Sequence, residues 1–395
     1  DARGRQKRFV VVLGFTAILL AGAFFFVRIN PACRQNLAVH HAQYQELAEA
    51  LSEGKVSVGD AEEALLAMKN PYDTIALQAA GIGYRADYAY HNGKYYVYFG
   101  IVPVLLLYLP YYLLTGGALQ NYVAVFVFFA GFVIAAAGFV YELMKRYFKE
   151  QPFYLWAVGT GMLVGSYSMF YLLIRPDLYH VPIVASAMFA TGGLWLYLAG
   201  LNRPKKAVGL YAFGSFCMAL TAGCRPQFIL FAALAVVLFW ERVFVKRELF
   251  SKKGWRQTAA LVVPYVLIAA GLMAYNALRF GSPFDFGASY SMTSNDMTHR
   301  GTNLERILYG IWYFLFEPMQ LEGKFPYLQS ASIATDYLGK LVTESWFGGI
   351  FACSMLTWGI FLLGRLKKNG VLSKELTWFC CVSLAAALVI GCVDA

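Results

Sequence analysis

Charge is what this chain has least of. Only 14% of its 395 residues are Asp, Glu, Lys or Arg, whereas 59% are hydrophobic. A soluble domain carries about a quarter charged residues, so this composition excludes an ordinary water-soluble fold. Several catalytic fingerprints are also missing. There is no Walker loop ahead of a helix, no HExxH and no GxSxG elbow, which argues against ATP hydrolysis, zinc proteolysis and serine hydrolase chemistry. The seven cysteines show neither metal-ligand nor disulfide spacing. Cys217, Cys224, Cys353, Cys380, Cys381 and Cys392 lie in or beside apolar runs, where Cys behaves as a small hydrophobe. Paired broken helices of a transporter and a row of intramembrane charges are absent too.

What is present is a series of apolar runs of about 20 residues, the length that crosses a hydrocarbon core of about 30 Å. These runs predict an all-α polytopic transmembrane bundle, one domain over 1–395, with about nine spans near 9–27, 119–143, 152–174, 181–200, 207–223, 227–241, 258–278, 346–364 and 376–393. The chain begins at Asp1 and stops just after an apolar run, so a further C-terminal part is expected.

Lys and Arg are gathered into short strings: Arg3 to Arg8, Lys145 to Lys149, Arg203 to Lys206, Arg242 to Arg256 and Arg365 to Lys374. Short basic loops stay on the cytoplasmic side, so the net charge of +10 reads as topology and not as a nucleic-acid patch. All five strings share one side only if the apolar piece 97–115 does not cross. Its Pro103, Pro110 and Tyr-rich flanks suit a re-entrant or interfacial segment. The expected result is a cytoplasmic N-terminus in a plasma membrane, contact with membrane lipids, and two large outer loops at 28–118 and 280–345.

Candidate chemistry lies on that outer side. Residues 40–58 place Tyr44, Leu47, Ala48 and Leu51 on one stripe, an amphipathic helix expected to lie on the membrane. Asn92-Gly93 signals a turn among Asp87, His91, Lys94 and a run of tyrosines that includes Tyr95 and Tyr98. Rings and hydroxyls at a membrane surface suit a sugar, and equally an interfacial aromatic belt. Arg175, Asp177 and His180 punctuate a turn between two apolar helices. Asp177 there fits a general base or, with His180, a metal ligand. Arg225 at another helix end can hold a phosphate, or reach for lipid headgroups. The last outer loop adds Asp285, Asp296, His299 and Arg300, followed by a second interface helix over 304–316.

With QYQELAEAL at 43–51, GKYYVYFGIVPVLLLYLP at 93–110, IRPDLYH at 174–180 and YNALRFGSPFDFG at 275–287, the layout resembles the GT-C membrane glycosyltransferases, the aminoarabinose transferase and protein O-mannosyltransferase group. The resemblance implies transfer of a sugar from a polyprenyl phosphate outside the cytoplasm, with a divalent metal ion as a candidate cofactor. The family's second-turn acid corresponds to Asp177. Its first-loop acid, just before the amphipathic helix, is replaced here by His40 and His41. Either Asp87 takes that role, or His40 and His41 act as base, or catalysis is lost. Lys94 and Arg225 would face the leaving phosphate. Arg175, His180, Tyr95 and Tyr98 are further substrate-binding candidates. A transporter or flippase of a lipid-linked saccharide and an inactive membrane scaffold are the alternative readings.

Overall fold

The structure is a computed structural model that describes residues 2–34, 42–165, 169–252, 254–293, 296–299, 304–323, 328–329, 331–337, 340–346 and 348–394. His40, His41 and Arg300 lie outside the described residues. The chain forms two compact units. One comprises Asp1–Ala235 with Phe239–His299, the other Val236–Leu238 with Arg300–Ala395.

Six described helices are long and apolar enough to cross a membrane: Val10–Ile29 (within α1, Ala2–Ile29), Asn121–Tyr147, His180–Asn202, Pro204–Cys224, Pro226–Val245 and Trp255–Phe280. With α2 (Gln43–Ser52) and α3 (Ile101–Thr115) between the first two, the last five are α4 to α8. They coincide with six of the nine expected spans. Two of the other three differ. Residues 152–174 give two shorter helices, Tyr154–Gly165 and Met169–Ile174. Residues 346–364 start at the end of a strand. Gly348, at φ +126°, then holds a backbone shape reserved for glycine, and a helical run resumes at Ile350–Cys353. The last stretch forms one helix, Lys374–Asp394.

Burial separates the helices of the first unit. More than half of the apolar window is buried in α4, α5 and α6, against 11% in α1 and none in α8. α5 packs on both α4 and α6 through small residues, as helices in an apolar solvent must, since lipid offers no hydrophobic drive for association. A Cβ on Gly193 of α5 would stand 2.9 Å from the Gly214 carbonyl oxygen of α6, so only glycine permits that approach. One ion pair closes an end of this core. Glu142 of α4 is 1% exposed and is held by Arg203 and by the Asn202 amide, 2.8 Å away. The outer helices instead expose Val10, Ile18, Phe25, Val266 and Leu267.

At about 1.5 Å per residue, α3 reaches only some 22 Å, short of a hydrocarbon core. Its middle turn is a π-helix, Val104–Tyr108, just after Pro103. The apolar stripe of α2 does not lie on the membrane as expected. Tyr44 and Leu47 are fully buried and Ala48 nearly so, inside the protein core. The reason is that α3 offers a closer apolar surface: the Tyr44 and Tyr108 rings sit 5.5 Å apart, and the Tyr108 hydroxyl donates to Asn121 Oδ1 of α4 at 2.8 Å.

The segment between α2 and α3 adds a small antiparallel sheet that composition did not announce: β1 (Gly59–Asp60), β2 (Ala89–His91) and β3 (Lys94–Tyr96), in the order β1-β3-β2. Asn92 (φ +49°) and Gly93 (φ +79°) make the expected two-residue turn, both in the left-handed shape that matches strand twist. In the second unit, the expected helix over 304–316 is present as Leu304–Phe316, with Phe316 stacked 5.3 Å from Phe351. That unit also contains an antiparallel hairpin of β4 (Ala331–Tyr337) and β5 (Lys340–Trp346).

Gly100 joins the sheet to α3. Its φ is +80°, and a Cβ there would meet the Tyr44 ring at 2.5 Å. Gly116, at φ +67°, has nothing within 4 Å. Gly100→Ala is therefore expected to destabilise by about 2–4 kcal/mol, combining backbone strain with overpacking. Gly116→Ala carries only the strain, about 1 kcal/mol. Unfolding of both variants in one detergent checks the difference; equal losses would contradict the steric role of Tyr44.

Candidate functional site

Asp87 and Tyr98, singled out from one stretch of sequence, and Arg225, from another, come together at the ends of α5 and α6. Asp87 follows the turn into β2 and sits at φ +60°, a left-handed shape that Asp tolerates better than most residues. Its backbone is fixed by a two-bond ladder to the loop after α8: Asp87 N–H donates to the Met292 carbonyl at 2.9 Å, and Met292 N–H to the Tyr88 carbonyl at 2.8 Å. Its carboxylate accepts the Tyr179 hydroxyl at 2.6 Å. Burial, with the Tyr98 hydroxyl and the Asp87 carboxylate alongside, pushes the Tyr179 phenol far above its ordinary value. Tyr179 thus stays a donor at every working pH, with the Asp87 carboxyl group as its acceptor.

Tyr179 is also part of a shelf. Its ring stacks on Phe99 at 5.6 Å, and the Arg225 guanidinium lies 5.3 Å from the Phe99 ring and 5.7 Å from that of Tyr179. Gly100 N–H donates to the Cys224 carbonyl at 3.0 Å, which ties the start of α3 to the residue before Arg225. Among the described residues Arg225 has no carboxylate or hydrogen-bond partner for its guanidinium, only these two rings. A cation held by ring faces keeps its N–H donors available.

The remaining candidates lie apart from this cluster. Asp177 caps α5: its Oδ1 accepts the backbone N–H of Tyr179 at 3.0 Å and of His180 at 3.2 Å, and lies 3.0 Å from His180 Nδ1. Burial acts to raise the Asp177 carboxyl, but the bonds from His180 and from the two backbone amides outweigh it and hold it below its usual value. His180 Nδ1 also meets the Arg175 carbonyl, and Arg175 turns to the Tyr171 hydroxyl at 3.1 Å. These three residues shape the turn, Asp177 through its Oδ1. Among the described residues no group of three His, Cys, Asp or Glu could hold a metal ion. Lys94 is exposed on β3, in register with His91 and Asp60, while Tyr95 is buried against Tyr88 and Tyr90.

Tyr179 and Arg279 belong to the site although neither stood out in the sequence. Tyr179 was overshadowed by the charges of IRPDLYH. Arg279 stands at the end of an apolar span, and Asn276 one turn earlier is the signal in the sequence that accompanies it. Arg279 donates to the Val97 carbonyl at 2.6 Å and to Asn276 Oδ1 at 2.7 Å, and so clamps α8 to the strand leading into Tyr98.

No protein family, no curated protein and no solved structure matches this chain.

The loop after α8 is pinned a second time. Asp296 accepts Asn70 Nδ2 at 2.8 Å and Thr298 N–H at 2.9 Å, with His299 Nδ1 at 2.9 Å. Burial works to raise the Asp296 carboxyl, but the bonds from Thr298, Asn70 and His299 take it down to about 2. A depressed carboxylate stabilises the fold above its unfolded value, near 4, and that contribution fades as pH falls toward about 2. Asp296→Ala should therefore lower thermal stability fully at pH 7, with the gap from wild type narrowing below pH 4. A gap that stays constant down to pH 2 would contradict this assignment.

Proposed function

We propose that this chain is a GT-C-type glycosyltransferase that moves a sugar from a polyprenyl phosphate to a hydroxyl of a cell-envelope lipid, polymer or protein. The reaction would take place at the extracytoplasmic face of a bacterial plasma membrane, with the N-terminus cytoplasmic. The observation that carries this reading is the placing of the Asp87 carboxyl group and an uncommitted Arg225 on one aromatic shelf, at the ends of apolar helices.

The chemistry follows from charge. An acceptor hydroxyl attacks the anomeric carbon, and Asp87 takes its proton as the new C–O bond forms. The bond from that carbon to the phosphate oxygen breaks, and the phosphate leaves with the electron pair as an anion. Arg225 faces the charge that develops there. The Phe99 and Tyr179 rings support the apolar face of a sugar, and Tyr179 holds Asp87 in its reactive orientation. No step requires a metal. If a divalent ion does assist, its charge would add to that of Arg225 at the leaving phosphate.

The test is transfer from radiolabelled undecaprenyl-phosphate sugars by purified protein in lipid. Asp87→Asn keeps the oxygen that accepts from Tyr179 but cannot take a proton, so it should lose about 10²- to 10⁴-fold in rate at unchanged stability. Arg225→Gln should lose rate with every donor. Full transfer by Asp87→Asn would remove Asp87 as the base. Donor binding by the wild type without transfer to any acceptor would replace the enzyme reading with that of a carrier for the same lipid.

A further inference from the structure

At the end of the first unit away from the Asp87–Arg225 shelf, side chains tie five helix ends together. Glu142 of α4 is held by Asn202 and Arg203 at the close of α5. The Tyr211 ring of α6 fills the space beside Gly200 of α5. Arg242 of α7 donates to the Tyr211 hydroxyl at 3.0 Å and to Gln257 Oε1 of α8 at 2.7 Å. Around this knot the charge is one-sided. Glu142, Glu241 and Glu248 are already in ion pairs with Arg203, Lys246 and Arg242. Lys145, Lys149, Lys205, Lys206, Arg247 and Arg256 are exposed and form no ion pair among the described residues. Against these six stands one further acid in the same stretches, Glu150. Exposed rings border the same end: Trp240 and Phe244, 4.5 Å apart, and Trp255. At the opposite ends both signs are mixed, as in Arg85 with Glu46 and His180 with Asp177.

Sorting of basic loops during insertion needs only their presence in the sequence. It does not require the fold to gather them, unpaired, around one knot where they repel one another. Anions that stay beside them relieve that repulsion. The rings say where those anions sit. Trp settles at the headgroup level of a bilayer, so Trp240 and Trp255 set the neighbouring cations at the depth of lipid phosphates. Val208, Val245 and Val262 are exposed nearby and continue the apolar surface along which Lys and Arg stems lie while their heads reach outward. A soluble polyanion would meet the charges but leave the rings and this apolar surface uncovered. We infer that this end of the helices is a docking surface for anionic phospholipid headgroups, held in preference to zwitterionic ones. The surface owes nothing to the transferase reading, since it lies at the far ends of the helices from Asp87.

The experiment is energy transfer from tryptophan to dansyl-labelled phosphatidylglycerol or dansyl-labelled phosphatidylcholine, with the purified chain in phosphatidylcholine vesicles. At low salt the wild type should favour phosphatidylglycerol about fivefold, the worth of roughly one basic residue at an anionic surface. High salt should shrink that preference toward equality. The sixfold variant Lys145→Gln, Lys149→Gln, Lys205→Gln, Lys206→Gln, Arg247→Gln, Arg256→Gln should lose it while unfolding thermally like wild type. The three double variants made from consecutive pairs of these changes should each lose part of it, and they keep the test readable if the sixfold variant misfolds. Lys55→Gln with Lys69→Gln, exposed between α2 and α3 at the opposite end, should keep the full preference. Equal transfer to both lipids in the wild type, or an undiminished preference in the folded variants, overturns the surface. So does an equal loss in the Lys55 and Lys69 variant, because net charge alone would then be responsible. Binding of an RNA oligonucleotide by the wild type, with no preference between the lipids, would overturn it as well and give these cations to a soluble polyanion.

Discussion

The hydroxyl of Tyr44 donates to the Leu178 carbonyl at 2.8 Å, and much of the molecule around the site depends on that contact. Tyr44 comes from the helix after the first span, and Leu178 from the turn before α5. The same ring fills the space left by Gly100, where the chain passes from the sheet into α3. Three segments far apart in sequence are thus locked at one buried side chain. A buried phenol must find an acceptor, because an unmet hydroxyl in an apolar setting costs about 1–3 kcal/mol. The acceptor it finds is a backbone carbonyl in the turn that carries Tyr179, so the demand of one hydroxyl places the residue that holds Asp87.

The electrostatics follow from what that lock leaves apart. Asp87 and Arg225 share the aromatic shelf but form no ion pair with each other. Had they paired, each would have neutralised the other, and neither a proton acceptor nor an anion receptor would remain. Aromatic rings make this separation tolerable. A ring face is electron-rich enough to hold a guanidinium but accepts no strong hydrogen bond from it. The phenol of Tyr179 plays the matching part for Asp87, donating one strong bond while adding no charge. By contrast, Asp177, through its Oδ1, and His180 bond to each other and to the backbone, and so stabilise the start of α5.

Residues with an unambiguous physical demand were legible from sequence. Six spans follow from length and apolarity alone, and Asn92-Gly93 follows from the left-handed backbone that a tight hairpin requires. Asp87 and Tyr98 were legible as part of a dense run of rings and hydroxyls around a turn, and Arg225 as a guanidinium at the end of an apolar span. The direction of the α2 stripe was not legible, since Tyr44, Leu47 and Ala48 present the same face to lipid or to protein. Only the partner, here α3, decides. The role of Asp177 was hidden for a similar reason. A carboxylate at a helix start is a cap or a base in sequence alike, and only the structure shows the backbone N–H groups that reach Asp177 Oδ1. The three-stranded sheet was hidden because its strands are two or three residues long, too short for alternation to show.

The polar groups inside the spans bear on the choice between transfer and transport. Tyr197 of α5 meets Ser215 of α6 at 2.9 Å and Tyr265 of α8 at 3.1 Å. These hydroxyls satisfy one another, as buried polar groups in an apolar solvent must. A translocation path would need donors and acceptors left open to a moving saccharide along the spans. Here one mid-span trio of hydroxyls is closed on itself, while Thr16, Thr160 and Ser186 hold buried hydroxyls without a partner among the described residues. The closed trio stabilises the packing of α5, α6 and α8 and offers nothing to a moving saccharide.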